Sequence, residues 1–181
     1  MSAEDRRFEK IGEEVVYEGR IIDLVIGRFR YPDATEVERE IVRHQGAVGA
    51  VVHDETHLYL VRQPREAIGD PDFLEIPAGR LDKDGESPLE AMQRELAEEI
   101  GKAAETWEKV AEFATSVGCL DEIVHVYHAT DLSDRDAEVD ENERIEIVRW
   151  PLDDLDGAIA AVRDSKTLIG LQWLKLRLAA G

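Results

Sequence analysis

A short helix with well-marked ends lies in the middle of the sequence. Ser87 is a favourable N-cap, Pro88 suits the first helical position, and Glu90 completes a capping box with Ser87. Gly101 supplies the left-handed residue that commonly ends a helix. An apolar stripe at helical spacing predicts the buried face, and it consists of Leu89, Met92, Leu96 and Ile100. The sequence therefore predicts a helix over residues 88–100 that packs against a core.

Three glutamates lie on the flank of that stripe, where a purely structural helix would carry lysines. Glu95, Glu98 and Glu99 are three and four residues apart, so their like charges repel, and partial burial increases the cost. A hard divalent cation with oxygen ligands, Mg²⁺ or Mn²⁺, would relieve this repulsion. The alternative is a solvated acidic helix face, which is the usual explanation for a run of charges.

The same stretch resembles the signature of the Nudix hydrolases. That signature is Gly, five residues, Glu, seven residues, then Arg-Glu-apolar-x-Glu-Glu-x-Gly-apolar. Glu86, seven intervening residues and the segment 94–101 (RELAEEIG) fit it position by position. Gly79 lies one residue farther from Glu86 than in the usual pattern, and Lys102 replaces the final apolar residue. The first departure lengthens a loop, which is tolerated easily, and the second lies beyond the helix end.

The order of elements along the chain predicts an α+β fold. Strands are predicted over 15–31, 36–44, 46–53, 57–62, 73–78, 110–115, 122–130 and 143–150, and helices over 88–100, 151–164 and 167–180. The Nudix resemblance implies an α/β/α sandwich with a mixed β-sheet between helices. We expect residues 1–181 to form a single Nudix hydrolase domain, in which strands at about 12–44 could form a dimerising sheet.

Composition limits the partners and the compartment. A formal net charge of −19 argues against nucleic acid polymers and anionic membranes. A small phosphorylated substrate remains compatible, because bound cations would dominate the local charge. A single cysteine, Cys119, cannot form an internal disulfide, and no apolar run suggests a signal peptide or a membrane span, so a cytoplasmic location is expected. A high-salt cytoplasm is a further explanation for the acidic composition.

The Nudix resemblance also implies which residues carry the chemistry. Glu95, Glu98 and Glu99, with the carbonyl of Ala78 and Glu143, would hold two to three Mg²⁺ (or Mn²⁺) ions. Such ions serve displacement at phosphorus, because they neutralise phosphate oxygens and lower the pKa of the attacking water. Arg94 and Glu86 would brace the loop against the helix.

Segments on either side of the signature resemble the ADP-ribose pyrophosphatase branch of the family. They are LEIPAG at 74–79, VRQPR at 61–65, SVGCLDE at 116–122 with Val117 in place of a proline, and the acidic loop around 141–143. The resemblance implies a homodimer that hydrolyses ADP-ribose to AMP and ribose 5-phosphate. It implies catalytic roles for Glu141, Glu143 and Glu99, and substrate contacts for Arg43, Arg62, Arg65, Arg20, Glu75 and Glu122.

Several alternatives remain open at this stage. Glu141 is favoured over Glu143 as the base, because Glu143 begins a predicted strand and suits a fixed ligand. The arginines Arg43, Arg62 and Arg65 could instead pair with the abundant surface acids. The substrate could be a nucleotide sugar, a dinucleoside polyphosphate or an oxidised nucleotide. A non-catalytic ADP-ribose-binding module is disfavoured, since such modules usually lose motif glutamates and all four are present.

Overall fold

The computed structural model of the chain describes residues 3–137 and 144–180. These residues divide into two compact units. The first comprises the chain up to Gly46 together with Ala114–Ile123, and the second comprises Ala47–Phe113 together with the chain from Val124 onward.

The first unit is an antiparallel sheet with three strands in the order β1-β2-β3. The strands are β1 (Glu9–Glu18), β2 (Ile22–Arg30) and β3 (Glu36–His44). A returning loop lies along β3, where the Val42 amide donates to the Cys119 carbonyl at 2.7 Å. Among the described residues of this unit, Val25 is the one buried hydrophobic side chain, and much apolar surface on β1 stays exposed.

The second unit contains a mixed sheet and three helices. Its strands are β4 (Ala47–His53), β5 (His57–Arg65), β6 (Asp70–Glu75), β7 (Ala78–Arg80), β8 (Lys102–Ala114), β9 (Ile123–Asp134) and β10 (Glu146–Pro151). Their order is β10-β5-β4-β9-β8, with β6 beside β5 and β7 beside β4. Strands β4 and β9 run parallel, whereas β5 is antiparallel to β4, β6 and β10. The helices are α1 (Pro88–Ile100), α2 (Leu155–Ala161) and α3 (Ser165–Ala180).

Alternation along the strands creates a separate core on each face of this sheet. One core joins Val51, Leu58 and Val126 to α2 and α3 through Leu155, Leu171 and Leu174. The other joins Val48, Tyr59 and Tyr127 to α1 through Met92, Leu96 and Ile100. Side chains at successive strand positions point to opposite faces, so each strand supplies both cores. This layering confirms the predicted sandwich of helices around a mixed sheet.

Element boundaries agree with the sequence where local signals are strong. Helix α1 begins after Ser87 with the predicted capping box and ends at Gly101, which has φ 65°. Strand β8 begins at Lys102, eight residues before the predicted strand over 110–115. Helix α2 is shorter than the predicted 151–164, because residues Leu152–Asp154 form a 3-10 turn before it.

A pair of histidines lies between the sheet and α3 and was not predicted. Nδ1 of His53 lies 2.8 Å from the Asp54 carbonyl, and Nε2 lies 2.9 Å from Nε2 of His128. A carbonyl only accepts, so His53 donates through Nδ1 and accepts through Nε2 from a neutral His128. The His128 ring also packs against Trp173, with ring centroids 5.0 Å apart.

This pair makes stability depend on pH. Burial and then the charge of His53 lower the pKa of His128 to about 4, from 6.5 in an unfolded chain. The contribution of neutral His128 to the free energy of unfolding is therefore complete above pH 6.5, and it is lost as the pH falls toward 4. We expect its loss to lower the free energy of unfolding by about 2 kcal/mol between pH 7 and pH 4.5. Urea unfolding of His128→Gln should show a correspondingly weaker pH dependence, and an unchanged dependence would contradict this assignment.

Candidate active site

The capping of α1 fixes the position of its acidic flank. The Glu90 carboxylate accepts from the Ser87 amide at 2.8 Å and from the Ser87 hydroxyl at 2.6 Å. At the other end, the Gly101 amide donates to the Ala97 carbonyl at 3.0 Å. Both ends of the helix are thus defined, and the side chains between them are presented in a fixed order along one face.

Arg94 lies among three of the predicted glutamates. Its Nε and Nη2 each lie 3.0 Å from a different oxygen of Glu86, which confirms the predicted brace between the loop and α1. Its Nη1 lies 2.6 Å from Glu95 and 2.9 Å from Glu98. One guanidinium therefore contacts three carboxylates, and planar bidentate pairing of this kind is strong and directional. Hydrogen bonding with Arg94 lowers the pKa of Glu86, and the same carboxylate raises the pKa of Arg94.

Glu99 is the least exposed acid of the cluster, with 9% of its surface accessible. Its Oε2 accepts from the Ala78 amide at 2.9 Å, which ties α1 to the start of β7. The next residue, Gly79, lies directly against Glu95. A Cβ at that position would be 2.0 Å from the Glu95 carboxyl carbon, so only glycine leaves room for this side chain. Strand β7 and helix α1 therefore meet at these two contacts.

The carboxylate oxygens of the acid cluster are suitable ligands for a hard cation. Within residues 3–137 and 144–180, no three acidic, histidine or cysteine side chains already stand in a geometry that would hold a metal ion. Arg94 instead lies between Glu95 and Glu98, while Lys83 is 3.9 Å from Glu98. Four glutamates nevertheless outnumber these two cations, their ligand atoms are all carboxylate oxygens, and the glycine at position 79 leaves room for the Glu95 carboxylate. These features fit a divalent ion that prefers oxygen ligands.

In the second unit, two predicted substrate contacts, Arg65 and Glu75, are bonded to each other. Nε and Nη2 of Arg65 lie 2.6 and 2.5 Å from Oε1 of Glu75. Glu75 is 1% exposed, so it is a buried carboxylate, whereas 40% of the Arg65 side chain remains accessible. Arg62 makes longer contacts, 3.4 Å to Asp72 and 3.6 Å to Glu146.

A second cation on Glu75 was missed by sequence reasoning. Nζ of Lys166 lies 2.5 Å from Oε2 of Glu75 and 3.1 Å from Asp164. Burial raises the pKa of Asp164, but the charge of Lys166 and the bonds from Thr167 outweigh it, so this pKa lies below its ordinary value. The spacing of Asp164 and Thr167 is a detectable N-cap signal for α3. Nothing local marks Lys166, which is 91 residues from Glu75.

In the first unit, Arg20 and Arg43 line a cavity of about 290 Å³ together with Asp23, His44 and Asp121. Arg43 donates to Asp121 at 2.8 Å and to Glu13 at 2.5 Å. Glu122 lies outside that lining, and its carboxylate accepts from the Thr115 hydroxyl at 2.8 Å and is 3.4 Å from His44.

The remaining predicted residues are Glu141 and Glu143. Both lie outside the described residues. Their assignment as base and metal ligand stays a prediction.

Comparison with known proteins gives concordant matches. The NUDIX domain family model matches residues 43–169. The chain is 38% identical over 174 residues to the ADP-ribose pyrophosphatase of Bacillus subtilis strain 168, covering 93% of both chains. The identity and coverage are the same for the methanol dehydrogenase activator of Bacillus methanolicus. The GDP-mannose pyrophosphatase of Cronobacter sakazakii is 34% identical over 164 residues, covering 80% of this chain and 85% of that one.

A solved structure supports the fold. The crystal structure of an ADP compounds hydrolase aligns with a TM-score of 0.84 at 22% identity, covering 97% of this chain and 96% of that chain. At this identity the likeness concerns the fold alone. Among the described residues, no helix has both the length and the apolar character needed to cross a membrane.

Proposed function

The chain belongs to the Nudix family, and we propose that it hydrolyses the pyrophosphate bond of ADP-ribose, releasing AMP and ribose 5-phosphate. The observation that carries the proposal is the cluster of four glutamates, three of which contact Arg94 while Glu99 and Glu95 lie against Ala78 and Gly79 of β7. A solvated acidic face would not explain why Glu99 is buried against the Ala78 amide. The Bacillus subtilis relative, named for this activity, supports the choice of substrate.

Family members generally use divalent metal ions, and the acid cluster would supply the ligands here. We propose that Glu95, Glu98, Glu99, Glu143 and the carbonyl of Ala78 hold two to three Mg²⁺ (or Mn²⁺) ions. Bound there, the ions would neutralise phosphate oxygens and lower the pKa of the attacking water.

The chain's own side chains would bind the substrate and manage the proton. Arg62 and Arg65, at the end of β5, would contact the diphosphate oxygens, and Arg43 is a further proposed substrate contact. Glu141 would accept the proton of the attacking water, with Glu143 the other candidate. Attack at one phosphorus breaks the bridging P–O bond, and the second phosphate leaves with that oxygen. Arg20, Glu75 and Glu122 would contribute to substrate positioning, directly or through a neighbouring arginine.

A homodimer in the cytoplasm completes the proposal. Strand β1 is an edge strand, and Val15, Val16 and Tyr17 on it are each more than half exposed. Edge strands with exposed apolar residues are unusual in a monomer, because they invite pairing with another chain. Sedimentation equilibrium measures the mass directly, and a monomer at micromolar concentration would refute the dimer.

A second substrate class is favoured by the Cronobacter relative, which is named for GDP-mannose hydrolysis. The site offers the same diphosphate chemistry to any nucleoside diphosphate sugar. A base-specific pocket would decide between them, and the side chains described above do not distinguish adenine from guanine. This alternative concerns the substrate and leaves the reaction class unchanged.

The experiment that tests the proposal is a substrate panel with Mg²⁺ or Mn²⁺ and separation of products by chromatography. ADP-ribose, GDP-mannose, diadenosine polyphosphates and oxidised nucleotides are incubated with the enzyme and with a Glu99→Gln control. We expect AMP and ribose 5-phosphate as products, with the highest kcat/KM for ADP-ribose. GMP and mannose 1-phosphate at higher kcat/KM would favour the second class. Binding of ADP-ribose without any cleavage would indicate a non-catalytic module and overturn the proposal.

A further inference from the structure

The buried carboxylate of Glu75 is shared between two cations. Arg65 occupies Oε1 through Nε and Nη2, at 2.6 and 2.5 Å, and Lys166 occupies Oε2 at 2.5 Å. The carboxylate is 1% exposed, and the Lys166 side chain is 13% exposed. Each oxygen of the acid therefore has its own cation.

The segment that carries Glu75 is held at both ends. On one side the Ile76 amide donates to the Thr167 hydroxyl at 2.9 Å, and that hydroxyl donates to Asp164 at 2.6 Å. On the other side the Ala78 amide donates to Glu99 at 2.9 Å. The start of α3 and the end of α1 thus fix the same short stretch. Lys166 belongs to the α3 side of this arrangement.

We propose that Lys166 is a positioning residue for substrate binding, which acts by holding Glu75 so that Arg65 presents a free edge of its guanidinium to a diphosphate. Without Lys166, Oε2 of Glu75 would be buried without its cation. Arg65 is the nearest group that can satisfy both oxygens, because its fork matches a carboxylate bidentately. The guanidinium would then turn inward, and its contact with a phosphate would weaken.

Other cations on the same elements lack this arrangement. Arg62 has carboxylates no nearer than 3.4 Å in its ion pairs, and neither partner is buried. Lys175 lies on α3 as well, but it pairs with Asp156, which is 79% exposed. Surface pairs of this kind contribute little. Lys175 therefore supplies a matched control for the removal of a lysine from α3.

The inference rests on the proposed function only for the identity of the substrate, so its test uses inorganic pyrophosphate as the probe. Calorimetric titration at low ionic strength with Mg²⁺ present compares the wild type with Lys166→Met, Lys166→Gln, Lys166→Arg and Lys175→Met. We expect about tenfold weaker binding for the Met and Gln variants, which corresponds to loss of one phosphate contact. Lys166→Arg should stay within threefold of the wild type, and Lys175→Met should be unchanged.

A double-mutant cycle separates positioning from general stability. In an Arg65→Gln background, Lys166→Met should weaken pyrophosphate binding by less than twofold, because the group it positions is gone. A further tenfold loss in that background would overturn the inference, as would wild-type affinity in both neutral Lys166 variants. Absence of pyrophosphate binding to the wild type would also overturn it. Circular dichroism confirms that each variant is folded at the assay temperature.

Kinetics distinguish a failure of this inference from a failure of the proposed function. With ADP-ribose, Lys166→Met should raise KM about tenfold and leave kcat within threefold, since the loss concerns ground-state binding. A tenfold fall in kcat with an unchanged KM would contradict the inference that Lys166 positions a group that binds the substrate. If the wild type binds pyrophosphate as expected but does not cleave ADP-ribose, the proposed function fails and the role of Lys166 stands.

Discussion

Replacing Glu99 with glutamine is expected to lower kcat for ADP-ribose by about 10³-fold or more, which corresponds to about 4 kcal/mol in the barrier. The glutamine side chain keeps an oxygen that can accept the hydrogen bond from the Ala78 amide. In the wild type this amide lies 2.9 Å from Oε2 of Glu99. The substitution thus removes a negative charge from a nearly buried position without removing the bond that joins α1 to β7. Such a change should affect the binding of cations far more than it affects folding.

The measurement is a steady-state assay over a range of Mg²⁺ concentrations, with thermal unfolding as the check on structure. Glu90→Gln is the matched control, because Glu90 lies on the same helix but only caps it. It should retain activity within about twofold, since a cap substitution acts on helix stability. A loss below tenfold for Glu99→Gln, with normal Mg²⁺ dependence, would show that Glu99 is not a metal ligand.

Local signals explain why α1 and its acid cluster could be predicted. The cap at Ser87, the stop at Gly101 and the eight-residue spacing between Glu86 and Arg94 are all visible within one stretch of chain. Contacts within a helix or between a helix and its preceding loop depend on spacing alone. The pairing of Arg94 with Glu86 was therefore predicted, through the resemblance, whereas the contacts of Arg94 with Glu95 and Glu98 were not.

Elements that depend on distant partners were harder to predict. The segment at the start of β8 (KAAETWEK) contains alanine, glutamate and lysine, which do not favour strands, yet it joins the sheet beside β9. In the pair His53–His128 the two residues are separated by 75 positions along the chain. In the pair Glu75–Lys166 they are separated by 91 positions. No periodicity or motif links such residues, because only the folded sheet brings them together.

Replacing Gly79 with alanine is expected to lower kcat/KM for ADP-ribose by about 10²-fold while the protein stays folded. The new Cβ would lie 2.0 Å from Cδ and 2.2 Å from Cγ of Glu95, which forces that side chain to move. Gly79 is not among the glycines with positive φ, so alanine suits the backbone itself. The obstacle is a flexible side chain, and the unfolding temperature should fall by only a few degrees. A displacement of about 1 Å in a catalytic group can cost this much activity.

A double-mutant cycle with Glu95 shows whether the loss arises through that side chain. In a Glu95→Gln background, Gly79→Ala should cause less than a threefold further loss, because the group it displaces no longer carries its charge. Arg80→Ala is the neighbouring control, since Arg80 is half exposed and its salt bridge within residues 3–137 and 144–180 is to Asp82 at 3.4 Å, and it should keep near wild-type activity. If Gly79→Ala keeps activity within twofold of the wild type, a displaced Glu95 side chain supports the reaction equally well. That result would exclude Glu95 as a metal ligand that needs a fixed position. Independent, additive losses would instead assign the effect of Gly79→Ala to the loop and not to Glu95.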